Sequence, residues 1–209
     1  MSDIVHHGVF LRPDARTCVA VTAVTGQLRA QYGLVSANAF PPHVTLAGSL
    51  SVAVPEPQLI AALAGAVRGV APFPVVNRGV VRLYGGLSYD VHPERGGPDA
   101  PLPGLAAAVD TAIRPLLAGP AGLDPVLYRP DSWHAHLSLA SHDLDEGSDL
   151  FDEVEAFVDA LGVAAPASFA ADTVAVYRFH HDSWTGAWWR TMRWEHVRSL
   201  RLGPDGDRR

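Results

Sequence analysis

Two short segments of this chain repeat one pattern: His43-Val44-Thr45-Leu46 and His136-Leu137-Ser138-Leu139. Each alternates a polar side chain with an apolar one. In an extended strand, successive side chains point to opposite faces. His43 and Thr45 therefore share one face, and Val44 and Leu46 the other. His136 and Ser138 stand opposite Leu137 and Leu139 in the same way. Each strand can anchor its apolar face in a core and show an imidazole and a hydroxyl on the other. A bilobal fold can bring the two polar faces together across a cleft. Two imidazoles and two hydroxyls around one point suit phosphoryl chemistry. One ring takes a proton from the nucleophile, the other gives one to the leaving oxygen, and the hydroxyls hold the non-bridging oxygens.

The flanking segments read as elements of an α+β fold. His6 to Leu11 forms a first strand, with His6-His7 as polar residues at its start. Asp14 is an N-cap, Val21, Val24, Leu28 and Tyr32 recur at helical spacing, and Gly33 fits a C-cap. Cys18 lies one turn before Val21 and reads as a packed small residue. Pro41-Pro42 fix where pairing of the first motif strand begins, since proline cannot donate to a ladder. Leu59, Ile60, Leu63 and Val67 mark a second helix. Phe73 to Leu83 and Leu87 to His92 read as a hairpin turned at Gly85-Gly86. The Pro- and Gly-rich stretch from Pro93 to Pro103 is the clearest lobe boundary. A third helix carries Leu102, Leu105, Val109, Ile113 and Leu116, and Gly119 to Ser132 is an irregular connection. The second motif strand follows from Trp133. A fourth helix, with Leu150, Val154, Phe157 and Leu161, is capped by Ser148 or Asp149. Thr173 to Phe179 is a strand, and Ala187 to Leu202 another strand or pair. Two passages thus repeat the same order of elements around a His-x-Thr/Ser strand. They predict two pseudo-symmetric lobes, each a mostly antiparallel sheet with outer helices, around a central cleft. Residues 1–202 would form one bilobal domain and 203–209 a flexible tail.

Composition narrows the function. All 16 basic residues are Arg, and the formal net charge of −6 argues against an extended nucleic-acid surface. A single cysteine excludes an internal disulfide and a thiolate-rich metal site. No apolar run is long enough to span a bilayer, and no basic-then-apolar leader opens the chain, so a cytoplasmic location is expected. Nothing in the sequence demands a dimer, so a monomer is expected.

The two tetrads, with the helices and strands around them, resemble the 2H phosphoesterase superfamily. That superfamily includes bacterial RNA 2′,5′ ligase-like proteins and 2′,3′-cyclic nucleotide phosphodiesterases. The resemblance implies a metal-independent enzyme without cofactors, acting on 2′,3′-cyclic phosphates or 2′,5′ linkages of a nucleotide or short RNA end. His43 and His136 become the acid–base pair, and Thr45 and Ser138 the phosphate-binding hydroxyls. Val174 to Arg178 looks like the family's late strand, which makes Arg178 a phosphate ligand. The loop from Gly119 to Pro130 and the segment Trp184 to Trp194 match no subfamily pattern.

Other candidates come from position alone. His134 lies two residues before His136 on the same strand face, where it can orient His136 or contact substrate. Phe40, Tyr84, Trp133 and Tyr128 are aromatics near the motifs on which a base could stack. Arg129 is a second, weaker phosphate candidate than Arg178. His92, His142 and His196 read as surface. His180-His181-Asp182 has metal-ligand residue types, but adjacent residues rarely converge on one ion. Two other functions compete: a non-catalytic nucleotide or RNA-end reader using the same cleft, and a metal-dependent hydrolase using the His-rich segments.

Overall fold

A computed structural model of the chain describes residues 4–94, 100–119, 122–145, 147–163 and 165–203. The expected tail from 204 onward, and parts of the two expected loops at 95–99 and 120–121, lie outside the described residues. The first passage comprises β1 (Ile4–Leu11), α1 (Ala15–Tyr32), β2 (Val44–Leu50) and α2 (Glu56–Val67). The second comprises β3 (Phe73–Val76), β4 (Val80–Leu83), β5 (Gly86–Asp90), α3 (Pro101–Ile113), β6 (His136–Ala140) and α4 (Asp149–Ala160). The strands β7 (Ser168–Ala171), β8 (Thr173–His181) and β9 (Arg193–Arg201) close the fold.

The ends of α1 follow its sequence signals. The Asp14 side chain accepts the Thr17 N–H at 2.8 Å, and Gly33 takes the left-handed conformation with φ 72°. Three antiparallel sheets result. One runs β2-β1-β8-β9, one β4-β5-β6, and β3 pairs with β7. The hairpin does not extend back to Phe73. Asn77 to Gly79 interrupt it, and β3 turns away to pair with β7, a short Ser-Phe-Ala-Ala strand that sequence patterning did not reveal. The β4–β5 turn is Tyr84-Gly85, one residue earlier than expected, with φ 52° and 74°. Positive φ at both central residues matches the twist of a two-residue hairpin. Gly86 is needed elsewhere: a Cβ there would lie 2.3 Å from the Ala140 carbonyl oxygen on β6.

Helices cross between the two halves. α1, from the first passage, lies against β6, whereas α3, from the second, lies against β2 and α2. The two motif strands therefore sit back to back with each other's helices, and their apolar faces share one core. Val44, Leu46, Leu137 and Leu139 are all buried in it. Truncating a fully buried leucine such as Leu46 or Leu137 to alanine costs about 2–5 kcal/mol.

Two polar ties hold the halves in register near the motifs. Trp133 donates its indole N–H to the Thr45 carbonyl at 3.1 Å. The Asp143 carboxylate, just past β6, accepts the N–H groups of Val35 and Ser36 at 2.5 and 2.9 Å, and also the Ser36 hydroxyl. No helix among the described residues is long and apolar enough to cross a membrane.

Candidate active site

A cavity of about 1250 Å³ opens between the β2-β1-β8-β9 sheet and the β4-β5-β6 sheet. His43, Thr45, His136 and Ser138 all line it, as strand alternation requires. Val44, Leu46, Leu137 and Leu139 point the other way into the core.

His43 immediately precedes β2, behind Pro41-Pro42. Its Nδ1 lies 2.7 Å from the Pro41 carbonyl oxygen. A carbonyl only accepts, so Nδ1 carries the hydrogen, and the neutral ring keeps its lone pair on Nε2. The ring stacks on Phe10, with centroids 3.8 Å apart and planes 21° from parallel, and Phe40 lies 5.8 Å away. These surroundings favour the neutral form. Burial pulls the His43 pKa down to about 4, the Pro41 hydrogen bond opposes this, and His136 lowers it further.

His136 is the first residue of β6 and repeats the same device. Its Nδ1 lies 2.8 Å from the carbonyl oxygen of His134, again two residues earlier. Here the neighbours are polar. Asp90 is the cross-strand partner of His136, and Ser88 that of Ser138. Tyr84 meets the His136 ring edge-on at 5.5 Å and donates its hydroxyl to the Ser132 carbonyl at 2.7 Å. Burial lowers the His136 pKa, and the hydrogen bond to the His134 carbonyl opposes it. The His134 side chain lowers it and Asp90 raises it.

The remaining sequence candidates separate. Phe40, Tyr84, Trp133 and His134 line the cavity; Tyr128 is buried beside Trp133 instead, with rings 5.3 Å apart. Arg178 does not reach the cavity. On β8 the side chains of Tyr177 and Phe179 face the cleft aromatics, so Arg178 points to the opposite side of the sheet. There it pairs with Glu56 at 3.4 Å and Glu195 at 3.0 Å. Its expected role as a phosphate ligand is corrected by this placement. Arg129, from the irregular connection, is the arginine among the described cavity-lining residues.

Several histidines read as surface or strand-start residues lie inside. His6 is buried on the cleft face of β1, with its ring 4.6 Å from Trp184. His7, on the other face, is buried too and meets Glu56 at 3.1 Å. His142 lines the cavity and stacks on Trp189 at 5.3 Å. His92 stacks on His134 at 4.5 Å. The segment after β8 closes one end of the cavity with Trp184, Trp188 and Met192, beside Phe179 and Phe40. Its density of tryptophan was the one sequence signal that could have marked it. His180 and His181 make ordinary side-chain bonds to Glu195 and Thr191, at 2.9 and 2.6 Å. Among the described residues, no group of three or more His, Cys, Asp or Glu side chains is arranged to hold a metal ion.

Two histidines with matched backbone anchors, facing each other across a bilobal cleft on paired His-x-Thr/Ser strands, define a class. Residues 13–183 match the family model of the 2′-5′ RNA ligase superfamily. The chain belongs to that family, among the 2H phosphoesterases. Its fold is similar to E. coli LigT complexed with NADP+, at 16% identity and TM-score 0.54, covering 96% of this chain and 99% of that one. A structure described as a phosphoesterase is similar at 16% identity and TM-score 0.51, covering 95% and 99%. E. coli LigT complexed with 3′-AMP aligns at 16% identity and TM-score 0.49, covering 95% and 98%. No curated protein matches the sequence.

Proposed function

We propose that the protein is a metal-independent phosphoesterase that opens 2′,3′-cyclic phosphates, or forms and breaks 2′,5′ linkages, at a nucleotide or short RNA end. The observation that carries this reading is the matched pair of imidazoles. Each has Nδ1 tied to the carbonyl two residues earlier, which leaves Nε2 as the nitrogen available to a ligand. In hydrolysis, one neutral ring takes a proton from the attacking water through Nε2. The new P–O bond forms as the ribose oxygen leaves, and the other ring, as an imidazolium, delivers its Nε2 proton to that oxygen. In the ligase direction a 2′-hydroxyl replaces water. Thr45 and Ser138 donate hydroxyl hydrogens to the phosphoryl oxygens as these gain charge.

The rest of the cavity supports a small ligand. Its volume exceeds the several hundred to about 1,000 Å³ typical of small-molecule sites, room enough for a mono- or dinucleotide. Phe40 and Trp188 offer faces for a base, and Arg129 replaces Arg178 as the guanidinium for a phosphate. Asp124 and Asp145 also line the cavity, which disfavours a long polyanionic track. The NADP+ carried by the similarly folded E. coli LigT is a ligand of this size.

The test is hydrolysis of the four 2′,3′-cyclic nucleoside monophosphates, and then of short RNAs with cyclic or 2′,5′ ends, in chelator. Turnover that survives chelator and is lost in both His43→Ala and His136→Ala is expected. Activity that needs an added divalent ion, or tight nucleotide binding with no turnover on any of these substrates, sinks the proposal.

A further inference from the structure

The two imidazoles are anchored alike, but their anchors are held differently. The carbonyl that receives His43 belongs to Pro41, and the Pro41-Pro42 pair limits its backbone freedom. The carbonyl that receives His136 belongs to His134, which has no such restraint in its own backbone. Its side chain supplies one. His134 Nε2 lies 2.8 Å from Asp90 Oδ1, and its ring stacks on His92 at 4.5 Å and 19°. Asp90 is held in turn: the same Oδ1 accepts the His92 N–H at 2.9 Å. His92 Nδ1 accepts the Ala135 N–H at 3.2 Å, which closes the ring of contacts around the strand entry. Asp90 is also the residue directly across the β5–β6 ladder from His136.

We propose that Asp90 and His134 are positioning residues that together hold the His136 imidazole in place, and that the Asp90 carboxylate, facing His136 directly, makes His136 the proton donor of the pair. This deepens, and rests on, the phosphoesterase reading above. The charge logic is local. The groups facing His136 are the Asp90 carboxylate, the His134 ring, the Tyr84 phenol and, across the cavity, His43; His92 lies behind His134 with Arg78 beyond it. Asp90 is the single carboxylate in that set. It favours a protonated ring at His136, whereas Phe10 and Phe40 favour a neutral ring at His43. The substrate would then lie with its attacked side toward His43 and its leaving oxygen toward His136.

Two readouts test this separately from the reaction itself. First, the imidazole nitrogens of His43 and His136 are titrated by NMR in wild type, Asp90→Asn and His134→Ala. Loss of the Asp90 charge should move the His136 titration to lower pH. Deleting the His134 ring, which leaves the Asp90 carboxylate facing His136, should move it to higher pH; His43 should shift little in either. Second, the pH dependence of cyclic-phosphate hydrolysis should follow. The basic limb moves down in Asp90→Asn and up in His134→Ala, with kcat reduced about tenfold in Asp90→Asn and KM changed far less. Asp90→Asn preserves the side-chain shape, and a circular dichroism melt of each variant identifies any that does not fold. If neither variant shifts the His136 titration, or both shift it the same way, the proposal is overturned. The NMR titration needs no turnover, so it decides the role of Asp90 even if no phosphodiester is hydrolysed.

Discussion

The two halves of the cavity use one device in unlike surroundings. Both present an imidazole whose Nδ1 is tied to a carbonyl two residues back. Around His43 the walls are Phe10 and Phe40; around His136 they are Tyr84, His134 and Asp90. The internal repeat supplied equal geometry, and the surroundings differ around it. Burial lowers the pKa of both rings; around His136 the Asp90 carboxylate opposes that shift, whereas no carboxylate does so beside His43. A singly protonated pair provides both the acid and the base, and like-charge repulsion between the two rings favours that state.

The sharpest way to break the comparison is to delete each ring. His43→Ala and His136→Ala should each lower kcat for cyclic-phosphate hydrolysis by about a hundred- to ten-thousand-fold. A loss confined to one of them would mean that a single histidine carries the reaction. Next in size is the effect of acid on folding. His43 has its pKa held down to about 4 by burial, below the ordinary value near 6.5. Between these values the unfolded chain binds the proton and the folded one does not, so stability falls as pH drops from about 6.5 toward 4. The loss is on the order of 3 kcal/mol. Urea melts of wild type and His43→Phe across that range should show a shallower pH dependence in the variant.

A third prediction removes one wall. Phe40 is partly exposed, and Phe40→Ala lets water reach His43 without hollowing the core. The His43 titration, and with it the acid limb of kcat/KM, should move from about 4 up toward 6.5. An unmoved limb would show that Phe10 alone keeps the ring dry. The smallest effect concerns the anchors. Pro42→Ala frees the backbone before His43, and kcat should fall by about two- to fivefold, on the order of 0.5–1 kcal/mol. Tyr84→Phe, which loses only the hydrogen bond to the Ser132 carbonyl, should cost no more than this.

Helices were the most legible elements, because a 3.6-residue apolar stripe and a capping residue are local signals. Asp14 and Gly33 bound α1 where the sequence placed them. The motif strands were legible for the same reason: a two-residue alternation that sets His43 with Thr45 and His136 with Ser138 needs no partner to be read. β8 carried no such signal. From Thr173 to Tyr177 every residue is buried, on both faces of the sheet, so no polar–apolar alternation tells which way Arg178 points. Only its register with β1, which pairs Arg178 with His7, assigns it to the far side with Glu56.

The sequence by itself therefore determined the family, the helices, the paired motifs and the four groups that line the cleft. Tertiary structure decided what surrounds them: Phe10 against His43, Asp90 across from His136, Arg129 in the cavity in place of Arg178, and β7 beside β3. The division has a physical cause. Propensity, capping and alternation act within a few residues, and the chain records them directly. A pKa, a stacking partner or a strand's facing side depends on groups far away in sequence, brought near by register and packing.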